Sequence, residues 1–158
     1  LPYKGGREMS EREFQTPELV CGYMVSLLPS GIRKVLEPTP GEGNLVRGLE
    51  HFGYDVITPD NFWEWQERVE AIVANPPFSP MALGYKYLDA FMDIAGVIIV
   101  LMPWLTLINS TKRTERILDY GLISVTHLPR NVFKGSRVQT CILEMRLGYK
   151  GKTDLKFL

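Results

Sequence analysis

Asn75-Pro76-Pro77-Phe78 puts an amide, two rigid prolines and an aromatic ring at the end of an apolar run, Glu70 to Ala74. The prolines stop a strand ladder and stiffen the chain. The Asn75 amide and the Pro76 peptide carbonyl can then face one point. Two acceptors on one point suit an –NH2 group. An aromatic amine is a poor nucleophile because its lone pair is shared with the ring. Accepting hydrogen bonds from both N–H groups favours a pyramidal nitrogen with that lone pair freed. Phe78 would stack on the ring that carries the amine. The bland alternative is a proline-rich loop around a buried phenylalanine.

Leu36 to Asn44 (LEPTPGEGN) reads as strand, glycine turn and helix start. Gly41 and Gly43 let backbone approach a ligand closely. The helix behind them offers first-turn N–H groups. Glu37 sets a carboxylate at the strand tip, which suits a positively charged ligand group rather than a phosphate. The chain also lacks the Lys-Ser or Lys-Thr pair of a P-loop here. Two glycines alone fit a tight turn with a helix cap equally well.

Asp60 lies 23 residues after Glu37, near the spacing at which an acid meets ribose hydroxyls in nucleotide-binding folds. Phe62 and Trp63 beside it would cover an adenine, or serve as core contacts after an Asp-Asn turn. Asn131 to Arg137 (NVFKGSR) offers Phe133 for stacking and Lys134 and Arg137 for phosphates, and is equally a plain hairpin turn. Lys112, Arg113 and Arg116 read as a solvated helix face. His51 and His127 are isolated and give no metal site.

These residues need elements to hold them. Thr16-Pro17-Glu18 reads as a helix start, with Thr16 as cap and Val20, Tyr23, Met24, Leu27 and Leu28 behind it. Strands are expected at Arg33 to Glu37, Tyr54 to Thr58, Glu70 to Ala74, Val97 to Met102, Ile123 to Leu128 and Thr140 to Leu147. Helices are expected from Asn44, with Leu45, Leu49 and Phe52 on one face and Gly53 as cap, from Ser79-Pro80, and around Ser110 to Tyr120. Such alternation implies an α/β fold, a Rossmann-like doubly wound and mostly parallel sheet. Only about a dozen residues, Pro129 to Gln139, join the last two strands. That is short for a crossover, so the last strand is expected to be antiparallel. Ligands on such sheets bind at the strands' carboxyl ends.

The 158 residues fit one domain with a proper core, and 18 basic residues balance 18 acidic ones. That balance leaves no overall electrostatic footprint for nucleic acid. No apolar run reaches membrane-span length. Cys21 and Cys141 lie far apart in apolar surroundings and read as core thiols of a reducing compartment. The polar ends, LPYKGGREMS and GYKGKTDLK, read as weakly held arms. The leucine at position 1 suggests a trimmed form with flanking parts elsewhere, and no signal peptide is visible.

The chain resembles a class I S-adenosylmethionine-dependent amino-methyltransferase, and most the gamma-type DNA methyltransferases that modify adenine N6. FQTP (Phe14 to Pro17) resembles that family's N-terminal cofactor motif, LEPTPGEGN its glycine-rich cofactor motif and NPPF its catalytic motif. The motif order resembles the gamma type, and the resemblance covers roughly Phe14 to Leu147. It implies S-adenosylmethionine as cofactor, held by Phe14, Thr16, Pro17, Glu37, Pro38, Thr39, Gly41, Gly43 and Asn44, with Asp60, Asn61 and Phe62 at its ribose and adenine. It implies Asn75, Pro76, Pro77 and Phe78 as catalytic, and DNA as the partner that the Phe133, Lys134 and Arg137 loop would meet. Pro40 departs from the family's usual cysteine or alanine. The short stretch before NPPF implies that one strand and helix are missing. No target-recognition domain follows, which implies a separate specificity subunit or a domain elsewhere.

The expected reaction is an in-line transfer of an activated methyl group, resting on positioning, with no metal required. A duplex base would have to be flipped out to reach Asn75. The expected setting is the cytoplasm of a bacterium or phage-infected cell, in a restriction-modification context. Alternatives are an RNA guanine-N2 or adenine-N6 methyltransferase, a protein-glutamine methyltransferase, or a non-catalytic binding subunit of the same fold.

Overall fold

A computed structural model describes residues 16–133 and 136–158. Seven strands form one sheet: β1 (Lys34–Leu36), β2 (Asp55–Ile57), β3 (Val69–Ala74), β4 (Ala95–Pro103), β5 (Leu122–His127), β6 (Thr140–Arg146) and β7 (Asp154–Phe157). Their order across the sheet is β2-β1-β3-β4-β6-β5-β7. All run parallel except β6, which is antiparallel to both β4 and β5. The short link from β5 to β6 leaves room for only a single helical turn, Arg130–Val132, so the chain doubles back.

β4 has no charged residue and is buried almost throughout, as a central strand covered on both faces must be. Helices α1 (Glu18–Ser26) and α2 (Asn44–His51) cover one face, packing Met24, Leu45 and Leu49 on Val35, Val73 and Leu101. Helices α3 (Met81–Ile94) and α5 (Thr111–Tyr120) cover the other, packing Leu88, Phe91 and Ile117 on Ile72, Ile98 and Leu143. The short α4 (Leu105–Ile108) follows β4. Cys21 and Cys141 are free and buried, and burial pushes their thiols up to about 11 and about 12. Among the described residues no helix is long and apolar enough to cross a membrane.

Three expectations need correction. Thr16 does not cap α1: Pro17 is the N-cap and makes no side-chain cap bond. Phe52, expected on the buried face of α2, is 62% exposed because the helix ends before it. The C-terminal stretch is not a loose arm, since β7 pairs in parallel with β5 and the antiparallel β6 is not the last strand. Its alternation of Asp154 and Lys156 with Leu155 and Phe157 is a strand signal that the flanking glycines and lysines obscured.

β2 forms the other edge of the sheet, and only a helical turn, Phe62–Glu64, lies between it and β3. From β1 the chain passes through α2 to β2 on one side. β3 then returns to the opposite side of β1. The point where the strand order reverses therefore lies between β1 and β3. Glu37 follows β1 and Asn75 follows β3, so the two most chemically suggestive residues sit on adjacent strand tips.

Candidate functional site

At the tip of β1, the Glu37 carboxyl is 1% exposed. Its Oε1 accepts from the Thr39 amide at 2.8 Å, with the Thr39 hydroxyl at 3.5 Å. Burial pushes the carboxyl up to about 8, and the bonds from Thr39 offset this only in part. It borders a small hollow of about 40 Å³ shared with Thr16, Thr39, Asn44 and Asn75. A buried carboxyl in a polar hollow is suited to a cation that restores its charge.

The turn after Glu37 shapes that hollow. Gly41 and Gly43 have φ of 53° and 86°, the left-handed region that side chains disfavour. Gly43 N donates to Pro40 O at 2.7 Å and closes the turn. Gly43 is also the N-cap of α2, so the first turn of the helix begins beside the hollow, which Asn44 and Leu45 help to line. Arg47 binds the Asn44 side-chain oxygen and, at 2.8 Å, Glu42 O, which ties the turn to its helix.

Asn75 is fixed from two sides. Its Nδ2 donates to Thr16 Oγ1 at 3.1 Å, and its backbone oxygen accepts from the Thr39 hydroxyl at 3.4 Å. Nitrogen facing Thr16 sets the amide's orientation, with its acceptor oxygen on the other side. The Thr16 carbonyl in turn accepts from Asn44 Nδ2 at 3.0 Å and from the Cys21 thiol at 3.4 Å. Thr16 and Thr39 thus tie the tips of β1 and β3, the start of α2 and the lead into α1 into one network.

Beside the hollow lies a cleft of about 540 Å³. Pro38, Thr39 and Gly41 line one part, Asp60, Asn61 and Phe62 another, and Asn75, Pro76, Pro77 and Phe78 a third. Asp60 and Asn61 are exposed, and Asn61 Oδ1 accepts from Trp63 N at 3.1 Å to start the turn. Phe62 is buried against Phe91 and Tyr87 while still bordering the cleft. Phe62 is thus a core contact that also borders the cleft. Trp63 and Tyr87 extend this wall, with ring centroids 4.5 Å apart and the Lys86 ammonium 4.3 Å above the indole.

The cleft also takes in Tyr87, Leu101, Ser136 and Thr140, which carry no motif and come together only through the fold. Phe133 differs from expectation: it does not project from a loop but is 7% exposed, packed in the core at the cleft's edge. Arg137 is exposed and is not among the lining residues. Phe14 and Lys134 lie outside the described residues. Pro17 is half-buried, and Cys21 N donates to its carbonyl. Arg113 lies over the Tyr85 ring and Arg116 binds Asp89 and Asp93, so this helix face is engaged in local contacts.

Gly84 of α3 supports the NPPF loop from below. A Cβ there would stand 2.8 Å from Phe78 Cβ and 3.4 Å from Pro77 O. Gly84→Ala is expected to lower the melting temperature. The clash costs about 1–3 kcal/mol, more than the roughly 1 kcal/mol gained in helix propensity. A variant as stable as the parent in a thermal melt would show that the loop yields freely.

No protein-family model matches the chain, and no curated protein matches it in sequence. Solved structures do match in shape. A Listeria monocytogenes protein assigned to the class I S-adenosylmethionine-dependent methyltransferases aligns over 98% of this chain and 67% of its own, with TM-score 0.67 and 13% identity. The fold is that of the class I methyltransferases. The methyltransferase subunit of a type I restriction-modification system from Streptococcus thermophilus aligns over 92% of this chain, with TM-score 0.71 and 16% identity. This chain spans about half of that subunit, 47% of its length. The 23S rRNA methyltransferase ErmE aligns over 83% of this chain and 68% of its own, with TM-score 0.57 and 16% identity.

Proposed function

We propose that the chain is the catalytic core of an S-adenosylmethionine-dependent methyltransferase that modifies the exocyclic N6 amine of adenine in DNA. The observation that carries this reading is the pairing of a buried carboxyl, Glu37, with the NPPF tip one strand away. They are linked through Thr39 and share the small hollow. The residues fit the cofactor: Glu37 suits its ammonium, the Gly41–Gly43 turn admits a close approach, and Asp60 suits ribose hydroxyls.

Bound S-adenosylmethionine supplies an already activated sulfonium methyl. The chain's own work is positioning. Asn75 and the Pro76 carbonyl accept hydrogen bonds from the amine, Phe78 packs on the base, and Thr16 holds the Asn75 amide in its orientation. The aromatic wall of Phe62, Trp63 and Tyr87 excludes water from one side of the cleft. Type I methyltransferase subunits share the fold, which supports DNA as substrate and a separate specificity subunit or further domain as partner.

Calorimetric titration with S-adenosylmethionine tests the cofactor. Absence of binding would sink the enzyme reading and favour a binding subunit. Incubation with labelled cofactor and separate DNA and RNA substrates, followed by digestion, identifies the modified base. Label on N6-methyladenine from DNA is expected, and label on guanine or on RNA alone would overturn the substrate assignment.

A further inference from the structure

Strand β7 ends the sheet beyond β5, and among the described residues nothing pairs with its outer side. Leu158 N donates to His127 O, which turns the backbone groups of even-numbered residues toward β5. Backbone groups alternate in direction along a strand, so those of Leu155 and Phe157 point outward. Their side chains are 61% and 75% exposed. Both share a sheet face with Val125 and His127, their partners on β5. The Phe157 ring meets His127, which lies against Trp104. An apolar strip therefore runs along an open ladder edge, a template for pairing with another strand.

We propose that β7 pairs antiparallel with β7 of a second copy, about a two-fold axis at Leu155, joining two sheets into one. Charge along the strand selects this occupant and this register. A two-fold axis normal to the sheet keeps every residue on its own face, so even-numbered residues meet even-numbered ones. An axis at Asp154 sets Asp154 against Asp154 and Lys152 against Lys156. An axis at Lys156 sets Lys156 against Lys156. An axis at Leu155 sets Asp154 against Lys156 twice and Leu155 against Leu155, so of the registers centred on a residue of β7 this one alone is charge-complementary. An axis before the strand, at Thr153, pairs Asp154 with Lys152 but sets Lys156 against Lys150. The axis at Leu155 also makes Leu155 the hydrogen-bonded pair. The flanking Asp154–Lys156 pairs are then of the non-hydrogen-bonded kind, where side chains lie closest. Glu144 holds the Lys156 ammonium, 3.7 Å away, on the face where Asp154 of the second copy arrives. Phe157, Leu155 and their two-fold mates would form one apolar stripe on the opposite face. The site between β1 and β3 lies away from this edge and stays open.

Sedimentation equilibrium of the full chain from micromolar to millimolar concentration tests this, with circular dichroism as a check on folding. The parent chain is expected to reach a dimer. Asp154→Lys and Lys156→Asp are each expected to lose self-association, because each sets like charges opposite one another. Mixed in equal amounts, the two variants are expected to regain a dimer containing one copy of each. Leu155→Arg, at an exposed position, is expected to remain monomeric and folded, and keeps the test valid should the variant beside Glu144 unfold. A parent that stays monomeric at millimolar concentration would overturn the proposal and leave the edge to another segment or protein. So would a dimer that survives Asp154→Lys and Leu155→Arg, or two folded single-charge variants that stay monomeric when mixed.

Discussion

Asn75→Ala is expected to lower the methyl-transfer rate by about a hundredfold to a thousandfold, the scale seen when one positioned hydrogen-bonding group is removed from a reacting centre. Affinity for S-adenosylmethionine should change only a few-fold, since Asn75 acts on the amine rather than on the cofactor's charge. Single-turnover kinetics and calorimetry on the same samples separate the two effects. Equal loss in both would mean that Asn75 has been given the wrong role. A companion variant tests how the amide is aimed. Thr16→Val removes the acceptor that binds Asn75 Nδ2 at 3.1 Å. It leaves the Thr16 carbonyl, which binds Asn44 and Cys21, in place. The rate should fall by about tenfold, a cost of roughly 1.4 kcal/mol, and Thr16→Ser should restore it. A Thr16→Ser protein as slow as Thr16→Val would point to packing of the lost methyl instead.

The sequence made the strand tips readable because burial and backbone chemistry leave local traces. β4 is a continuous apolar run, the glycines at 41 and 43 mark positive φ, and Asn75 with two prolines marks the end of β3. Thr16 was legible as a residue near the site, but its bond to Asn75 was not. Threonine before proline looks like a helix cap, and only the fold brings its hydroxyl to a residue 59 positions away. Gly84 left no signal, since a glycine inside a helix explains itself only when Phe78 is seen packed against it. Helical spacing groups Tyr87 with Leu88 and Phe91 and gives no sign of a cleft. In the fold its ring meets Trp63 and lines the cleft. Phe133 looked like a projecting loop ring because loops are usually exposed. Its burial depends on residues of α1, α2 and the sheet that are distant in sequence.

Glu37→Gln should reveal itself first through pH. A carboxyl that starts near 4.5 in the unfolded chain and is pushed up to about 8 in the folded one holds its proton more tightly when folded. Its contribution to stability is therefore fully present below about 4.5 and is lost as pH rises through about 8. The lost stability is on the order of 5 kcal/mol at most. Denaturant melts of the ligand-free protein should show stability falling between those limits, and Glu37→Gln should flatten that part of the curve. Ligand binding reverses the preference, because an ammonium beside Glu37 favours the ionised carboxylate. Binding at pH 7 should then release nearly one proton, read by calorimetry in buffers of different ionisation enthalpy. At pH 9 the release should vanish, since the carboxyl is already ionised. Glu37→Gln should release none and should bind about a hundredfold more weakly or worse, as expected when one partner of a buried charge pair is removed. Unchanged affinity in the variant, or no proton release by the parent at pH 7, would show that the cofactor's ammonium does not lie against Glu37.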